Sequence, residues 1–363
     1  MNGKKYLDYL FNPLDILRTK EVLQVNPTVI YERKEVVDSK FFIHEYDGEK
    51  LLSKKIENIE DCKAHSNTQE VSWINIDGIK KSDIENISLH FGIHQLIVED
   101  ILSFGQRPKM DQINGLLFCV LNMLYFNEKE STVESEQISI VLGKNFVISF
   151  QEDESRDVFN GLREKLKINN SKIRQNGADF LYYAMIDAIV DHYYLVMEKL
   201  GERIEQLEED IIKYSSNKTL VKINNLRKEM ILLKRSIGPV RELIHGILRS
   251  ENELIETRTE KYFKDVYDHI VQANDLAENY RDIMINIHDL YMSNVNLKLN
   301  ESMKVMAIVT CLLAPATVIG GIFGMNFDRL PMLHNKWGFL ISVGLMILIP
   351  VWMMFYFKKK KWF

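Results

Sequence analysis

Two long apolar stretches close the chain, and they limit what the rest of it can become. Met303 to Phe323 and Trp337 to Phe357 each run for about 21 residues with a single charge between them, Lys304 near one end. At about 1.5 Å rise per residue, each covers the roughly 30 Å hydrocarbon core of a bilayer. A buried helix of a soluble protein passes the same length test. Two such runs at one end favour a pair of transmembrane helices. Pro315 and Pro350 are expected to kink them, which is tolerable where neighbours re-satisfy the freed carbonyls. Lys298 and Lys304 precede the first span and Lys358, Lys359, Lys360 and Lys361 follow the second, while the connecting loop offers Arg329 and Lys336 against Asp328. The excess of basic residues predicts both termini on the cytoplasmic side of the cell inner membrane and the loop outside.

The remaining sequence reads as a cytoplasmic body. The first twenty residues, MNGKKYLDYLFNPLDILRTK, hold no uninterrupted apolar core, so no signal peptide is expected. A net charge of -5 argues against a general nucleic-acid binder. Cys62, Cys119 and Cys311 lie far apart, without the spacing of a disulfide framework or zinc site. No Walker motif, HExxH or other recognisable histidine spacing is present, so neither a nucleotide partner nor an enzyme is expected.

The fold class expected is an α+β membrane protein. Residues 1–160 read as an α/β domain, with strands in PTVIYERKEVV, KFFIHEYDG, EVSWINIDG, GLLFCVLNMLYF and EQISIVLGKNFVISFQ. Two short helices are expected in KSDIENISLHFGIHQLIVEDIL, the first capped by Ser82. Residues 161–256 read as a charged helical hairpin turning at 215–218, its second arm interrupted near Gly238-Pro239. Residues 257–302 form a stalk helix leading into the first span at 303–323, followed by a loop at 324–336, the second span at 337–357 and a basic tail at 358–363.

The stalk carries an unusual pattern. A walk in alternating steps of three and four visits Asp265, Asp268, Gln272, Asp275, Asn279, Asp282, Asn286, Asp289, Ser293, Asn296 and Asn300, then Met303, Ala307, Thr310, Ala314, Thr317, Gly321 and Gly324. A coiled coil places Leu or Ile on such a stripe. A solvated helix face explains Asp265 to Asp289, but the same phase continues into the span, where polar groups usually face a bundle interior or a water-filled path. Packing in pairs would press aspartates into a dry seam, so a wider ring is favoured.

The first span ends in GGIFGMNFDRLP. Gly324-Met325-Asn326, lying between two spans, resembles the signature of the CorA family of magnesium transporters. The likeness extends through NESMKV, YFKDVYDH, YRDI and VEDILSFGQRPK to YFKKKKWF, and is looser in the first eighty residues or so. It implies a homopentamer in the lipid bilayer, with first spans lining a pore. It implies Mg2+ as cargo and regulatory ligand, with Gly324, Met325 and Asn326 as selectivity filter. Met303 and Met306 would fall at a hydrophobic constriction and Asp289 at an acidic ring below the membrane. Asp100 and Asp265 match carboxylates that hold a regulatory Mg2+ between subunits, with Glu99 and Asp187 as secondary ligands. Ala314 stands where family members often carry Met.

The chemistry suits that cargo. Mg2+ sheds water reluctantly, and a ring of Asn326 amide oxygens can accept hydrogen bonds from its first-shell waters at a neutral, escapable site. Such a filter discriminates weakly, so transport of cobalt, nickel or zinc by the same architecture is the alternative. A membrane-anchored divalent-cation sensor is the alternative from another class.

Overall fold

The computed structural model describes residues 39–56, 62, 70–213, 216–250, 252–325, 332, 335–360 and 362. The strand expected at 27–37, Asn326 and most of the inter-span loop lie outside them. The chain divides into two bodies, residues 1–209 with 218–286, and residues 210–217 with 287–363.

In the first body seven strands form one sheet in the order β2-β1-β3-β7-β6-β5-β4. They are β1 Lys40–Tyr46, β2 Leu51–Ile56, β3 Val71–Asp77, β4 Lys109–Ile113, β5 Leu116–Asn127, β6 Thr132–Leu142 and β7 Phe146–Gln151. β3 and β7 run parallel and the other neighbours antiparallel. The hairpin between β4 and β5 turns on Asn114 and Gly115, both at positive φ (55° and 75°), the geometry an Asn-Gly pair favours.

Alternation along the strands sends Ile74, Ile76, Phe118, Val120, Val141, Ile148 and Phe150 to one face. There they pack with Ile84 and Ile87 of α1 (Lys81–Phe91) and Ile97 and Ile101 of α2 (Gln95–Leu102). Ser82 does not cap α1. The helix begins one residue earlier, at Lys81, and the Ser82 hydroxyl donates to Asp83 instead. Gly92, left-handed at φ 68°, ends α1, and the His94 side chain caps α2 by accepting from the Leu96 amide.

The other face of the sheet holds a buried polar cluster. Asn75 donates to Asp77 at 2.9 Å, Ser149 donates to Asn75 at 2.6 Å, and Gln151 donates to both Asn75 and Asp77. On the neighbouring strand, Glu136 accepts from the Glu152 and Asp153 amides. Burial, the largest effect at each, pushes Asp77 up to about 6 and Glu136 up to about 7. The folded chain therefore holds protons that the unfolded chain releases above the ordinary carboxylate range. Their contribution to stability is fully present near pH 4 and is lost as pH rises through 6 to 7. In Glu136→Gln, the loss of unfolding free energy between pH 5 and pH 8 is expected to shrink, by about 1.4 kcal/mol for each unit of pKa shift removed within that window, and the fall in thermal midpoint to shrink with it. Thermal unfolding of the full chain at the two pH values checks this.

α3 (Asn160–Lys167), the long helix α4 (Ala178–Lys213) and α5 (Asn217–Arg249) follow β7, and Arg203 of α4 pairs with Glu229 of α5. The Tyr193 hydroxyl donates to the Asn122 carbonyl at 2.6 Å, tying α4 to β5. Contrary to expectation, α5 is not interrupted at Gly238-Pro239. Proline removes one intrahelical bond, at about 3 kcal/mol, yet Leu233, Ile237, Val240 and Ile244 are all fully buried around it. Tertiary burial of this face outweighs the local penalty.

α6 runs unbroken from Thr257 to Phe323, 67 residues, straight through Pro315. Its first half belongs to the first body, where Phe263 meets the rings of Tyr182 and Tyr183 of α4 and Tyr280 donates to the Met197 carbonyl. In the second body Asn294 donates to the Ile211 carbonyl at 3.0 Å. α7 (Gly338–Lys359) follows, and its Met346 approaches Gly320 of α6.

Candidate metal centre and membrane helices

Between Phe263 and Tyr291 the two faces of α6 differ in burial. Phe263, Val266, Ile270, Ala273, Ala277, Met284, Ile287 and Tyr291 are buried, in the three-and-four spacing of a helix-packing seam. The polar walk begins two residues later in phase, about 200° round the helix. All its members, from Asp265, Asp268, Gln272 and Asp275 through Asn279, Asp282, Asn286, Asp289, Ser293, Asn296 and Asn300, are exposed. So are Met303, Met306, Ala307, Thr310, Ala314, Thr317, Gly321, Gly324 and Met325. The sequence reading saw the polar stripe but not the apolar one that seats the helix behind it.

The apolar ends of α6 and α7 are long enough to cross a membrane, and only 6% of each apolar window is buried within the chain. A soluble core helix would be mostly covered. Within α6 the Thr310 hydroxyl donates to the Met306 carbonyl at 2.9 Å and Thr317 to Leu313 at 3.1 Å. Their protons are satisfied inside the helix while the oxygen lone pairs stay outward. Gly324 ends the helix, its amide bonded to the Gly320 carbonyl at 2.9 Å. A Cβ there would lie 3.1 Å from that same oxygen, so a larger residue would have to push the backbone by a few tenths of an ångström. Asn326 lies outside the described residues.

The cytoplasmic carboxylates fall into two groups. Asp187 and Asp191 stand one turn apart on α4, and His269 stands one turn after Asp265 on α6. Ligand atoms of Asp187, Asp191 and His269 all lie within 4.8 Å of one another. Burial raises the Asp187 pKa, and the Asp191 carboxylate raises it further; Asp265 adds to the same effect. The Tyr183 hydroxyl donates to Asp187 at 3.2 Å, and Tyr194 donates to the His269 carbonyl at 2.7 Å, fixing the backbone there. His269 Nδ1 is buried without a hydrogen-bond partner among the described residues. Crowded carboxylates beside an orphaned imidazole nitrogen fit a divalent cation. His269 comes beside the two aspartates through the packing of α4 against α6 rather than through a metal-binding spacing along the chain. Asp187-x3-Asp191 and Asp265-x3-His269 were the available signals, each placing two ligands on one helix face.

The second group sits at the end of α2. Glu99 is exposed, and Asp100 forms an ion pair with Lys109 of β4 at 2.6 Å. Asp100 and Glu99 thus stand on α2, whereas Asp187 stands on α4 and Asp265 on α6.

A family model described as CorA-like Mg2+ transporter protein matches residues 68–359. The chain belongs to the CorA family. It is 38% identical, over 336 residues, to the cobalt/magnesium transport protein CorA of Thermotoga maritima, covering 92% of this chain and 95% of that one. The fold matches the complete structure of the CorA magnesium transporter of Methanocaldococcus jannaschii with a TM-score of 0.73 at 21% identity, over 91% of this chain and 100% of the other. It also matches the ZntB cytoplasmic domain of Vibrio parahaemolyticus, with a TM-score of 0.56 at 17% identity, over 70% and 98%.

Proposed function

We propose that this CorA protein is a channel-like Mg2+ importer, a homopentamer whose five α6 helices surround a water-filled path through the inner membrane. The observation that carries the reading is the stripe of α6, polar and exposed from Asp265 to Asn300, first opposite the buried seam of Phe263 to Tyr291, and continued in the same phase by small or weakly polar residues from Ala307 to Gly324 in the apolar part of the helix. Five such stripes around an axis give a wide, hydrated passage bordered by carboxylates, which attract divalent cations and repel anions. With both termini cytoplasmic, an inside-negative potential draws a divalent ion inward by roughly 4.6 kcal/mol per 100 mV. Asn326, with Gly324 and Met325, forms the outer filter, and Met303 and Met306 the constriction. Asp100 and Asp265 of neighbouring subunits, with Glu99 and Asp187 beside them, hold the regulatory cation that closes the path; Asp191 and His269 join that set.

An imidazole among oxygen donors suits cobalt and nickel better than magnesium. His269 therefore supports transport or sensing of those ions as a second reading. The test is influx into liposomes carrying the purified protein under an inside-negative potential, followed by a trapped Mg2+ dye, with Co2+ and Ni2+ as competitors. Mg2+ influx that depends on the potential supports the importer. Influx of Co2+ or Ni2+ without Mg2+ supports the second reading, and no flux of any ion supports the anchored sensor.

A further inference from the structure

Asp100, a proposed regulatory ligand, is already engaged by a cation belonging to the chain itself. Lys109 Nζ lies 2.6 Å from Asp100 Oδ2 and 3.4 Å from Asp111 Oδ2. The geometry around Asp100 is fixed. Its backbone carbonyl accepts from Gln137 Nε2 at 3.0 Å, and Gln137 Oε1 in turn accepts from the Gln106 amide at 3.1 Å. Ser103 closes the last turn of α2 by donating both its amide and its hydroxyl to the Glu99 carbonyl. Lys109 and Asp111 alternate onto the same face of edge strand β4 as Ile113, which packs against the core beneath α2. The Asp100 carboxylate is 15% exposed and the Lys109 side chain 40%, so the carboxylate is held while the ammonium reaches it from the solvent side.

We infer that Lys109 is a built-in competitor for the divalent cation at Asp100. A carboxylate bound by an ammonium at hydrogen-bond distance has less lone-pair capacity for an ion or its waters. A divalent ion arriving there also meets a fixed positive charge a few ångströms away. Lys109 must swing to Asp111 or to solvent before the ion is held. The exchange has a consequence for gating. Loss of the ion hands Asp100 back to Lys109 rather than leaving a bare carboxylate facing Asp265, so Lys109 both raises the Mg2+ concentration needed for closure and softens the repulsion on release.

The inference rests on the proposed regulatory role of Asp100, and the experiment separates the two. Thermal unfolding of the full-length protein in detergent is followed against Mg2+ concentration for wild type, Asp100→Asn, Lys109→Gln, Lys109→Met and Lys109→Arg. Asp100→Asn is expected to move the half-point for Mg2+ stabilisation about tenfold upward or abolish it. Lys109→Gln and Lys109→Met are expected to move it about three- to tenfold downward, the scale of a partly exposed ion pair. Lys109→Arg, which keeps the charge, is expected to stay within about twofold of wild type. An unchanged titration in Asp100→Asn overturns the regulatory-site reading and the inference with it. A shifted Asp100→Asn together with unchanged or upward-shifted Lys109→Gln and Lys109→Met overturns the inference alone. Lys109→Met retains the alkyl stem and serves if Lys109→Gln does not fold.

Discussion

Mg2+ influx through the Asn326→Ala variant is expected to fall by about a hundredfold or more, measured in liposomes under an imposed inside-negative potential. In the proposed pentamer five amide oxygens accept hydrogen bonds from the ion's inner waters. Each net contribution is about 1 kcal/mol, so losing all five removes about 5 kcal/mol, more than the roughly 2.8 kcal/mol that corresponds to a hundredfold. The neutral amide matters because a ring of carboxylates would bind the hydrated ion too firmly to release it. An Asn326→Ala protein that conducts Mg2+ at the wild-type rate would remove Asn326 from the filter. Two residues before it, the Gly324 amide bonds to the Gly320 carbonyl, and a Cβ there would stand 3.1 Å from that oxygen, a tight approach.

The second large effect is expected at Asp265. The residue is exposed on α6, close enough for its charge to act on Tyr183 and Asp187. Asp265→Asn removes a charged ligand from the proposed regulatory site while sparing the buried seam of Phe263 and Val266 on the opposite face. Charge-assisted contacts contribute about 1.5–3 kcal/mol, so the internal Mg2+ needed to halve influx is expected to rise about ten- to hundredfold. Liposomes loaded with graded Mg2+ and assayed for further influx measure this directly. Closure at the wild-type concentration would show that Asp265 takes no part in regulation.

The membrane helices were legible because length and hydropathy alone constrain a bilayer span: α7 begins at Gly338, one residue from the sequence reading. The breaker-free run from Thr257 was equally plain and is one helix. β2 and β4 were missed. LLSKKI is mostly exposed and KMDQI is only partly buried, so neither carries the alternating apolar pattern of a strand packed on the core. For β4 the Asn114-Gly115 pair beside GLLFCVLNMLYF was the usable hairpin signal. The sheet order was not readable, since the parallel contact of β3 with β7 joins strands about seventy residues apart through no local cue. Pro239 misled for the opposite reason, a local breaker overridden by burial. Asp187 and Asp265 were named from the resemblance, whereas the grouping of Asp191 and His269 with Asp187 needed the packing of α4 against α6.

The claim on which everything else depends is that the exposed stripe of α6 faces water inside the membrane. The most direct measurement places single cysteines in a Cys311→Ser background and exposes the membrane-embedded protein to a small, charged, water-soluble thiol reagent. Thr310→Cys, Thr317→Cys and Gly321→Cys are expected to react and to lose Mg2+ influx on reaction. Ile308→Cys, Leu312→Cys and Ile319→Cys, each about 200° from a stripe position, are expected to stay unmodified and conducting. Equal reactivity on the two faces, or reaction confined to the second set, would contradict the account.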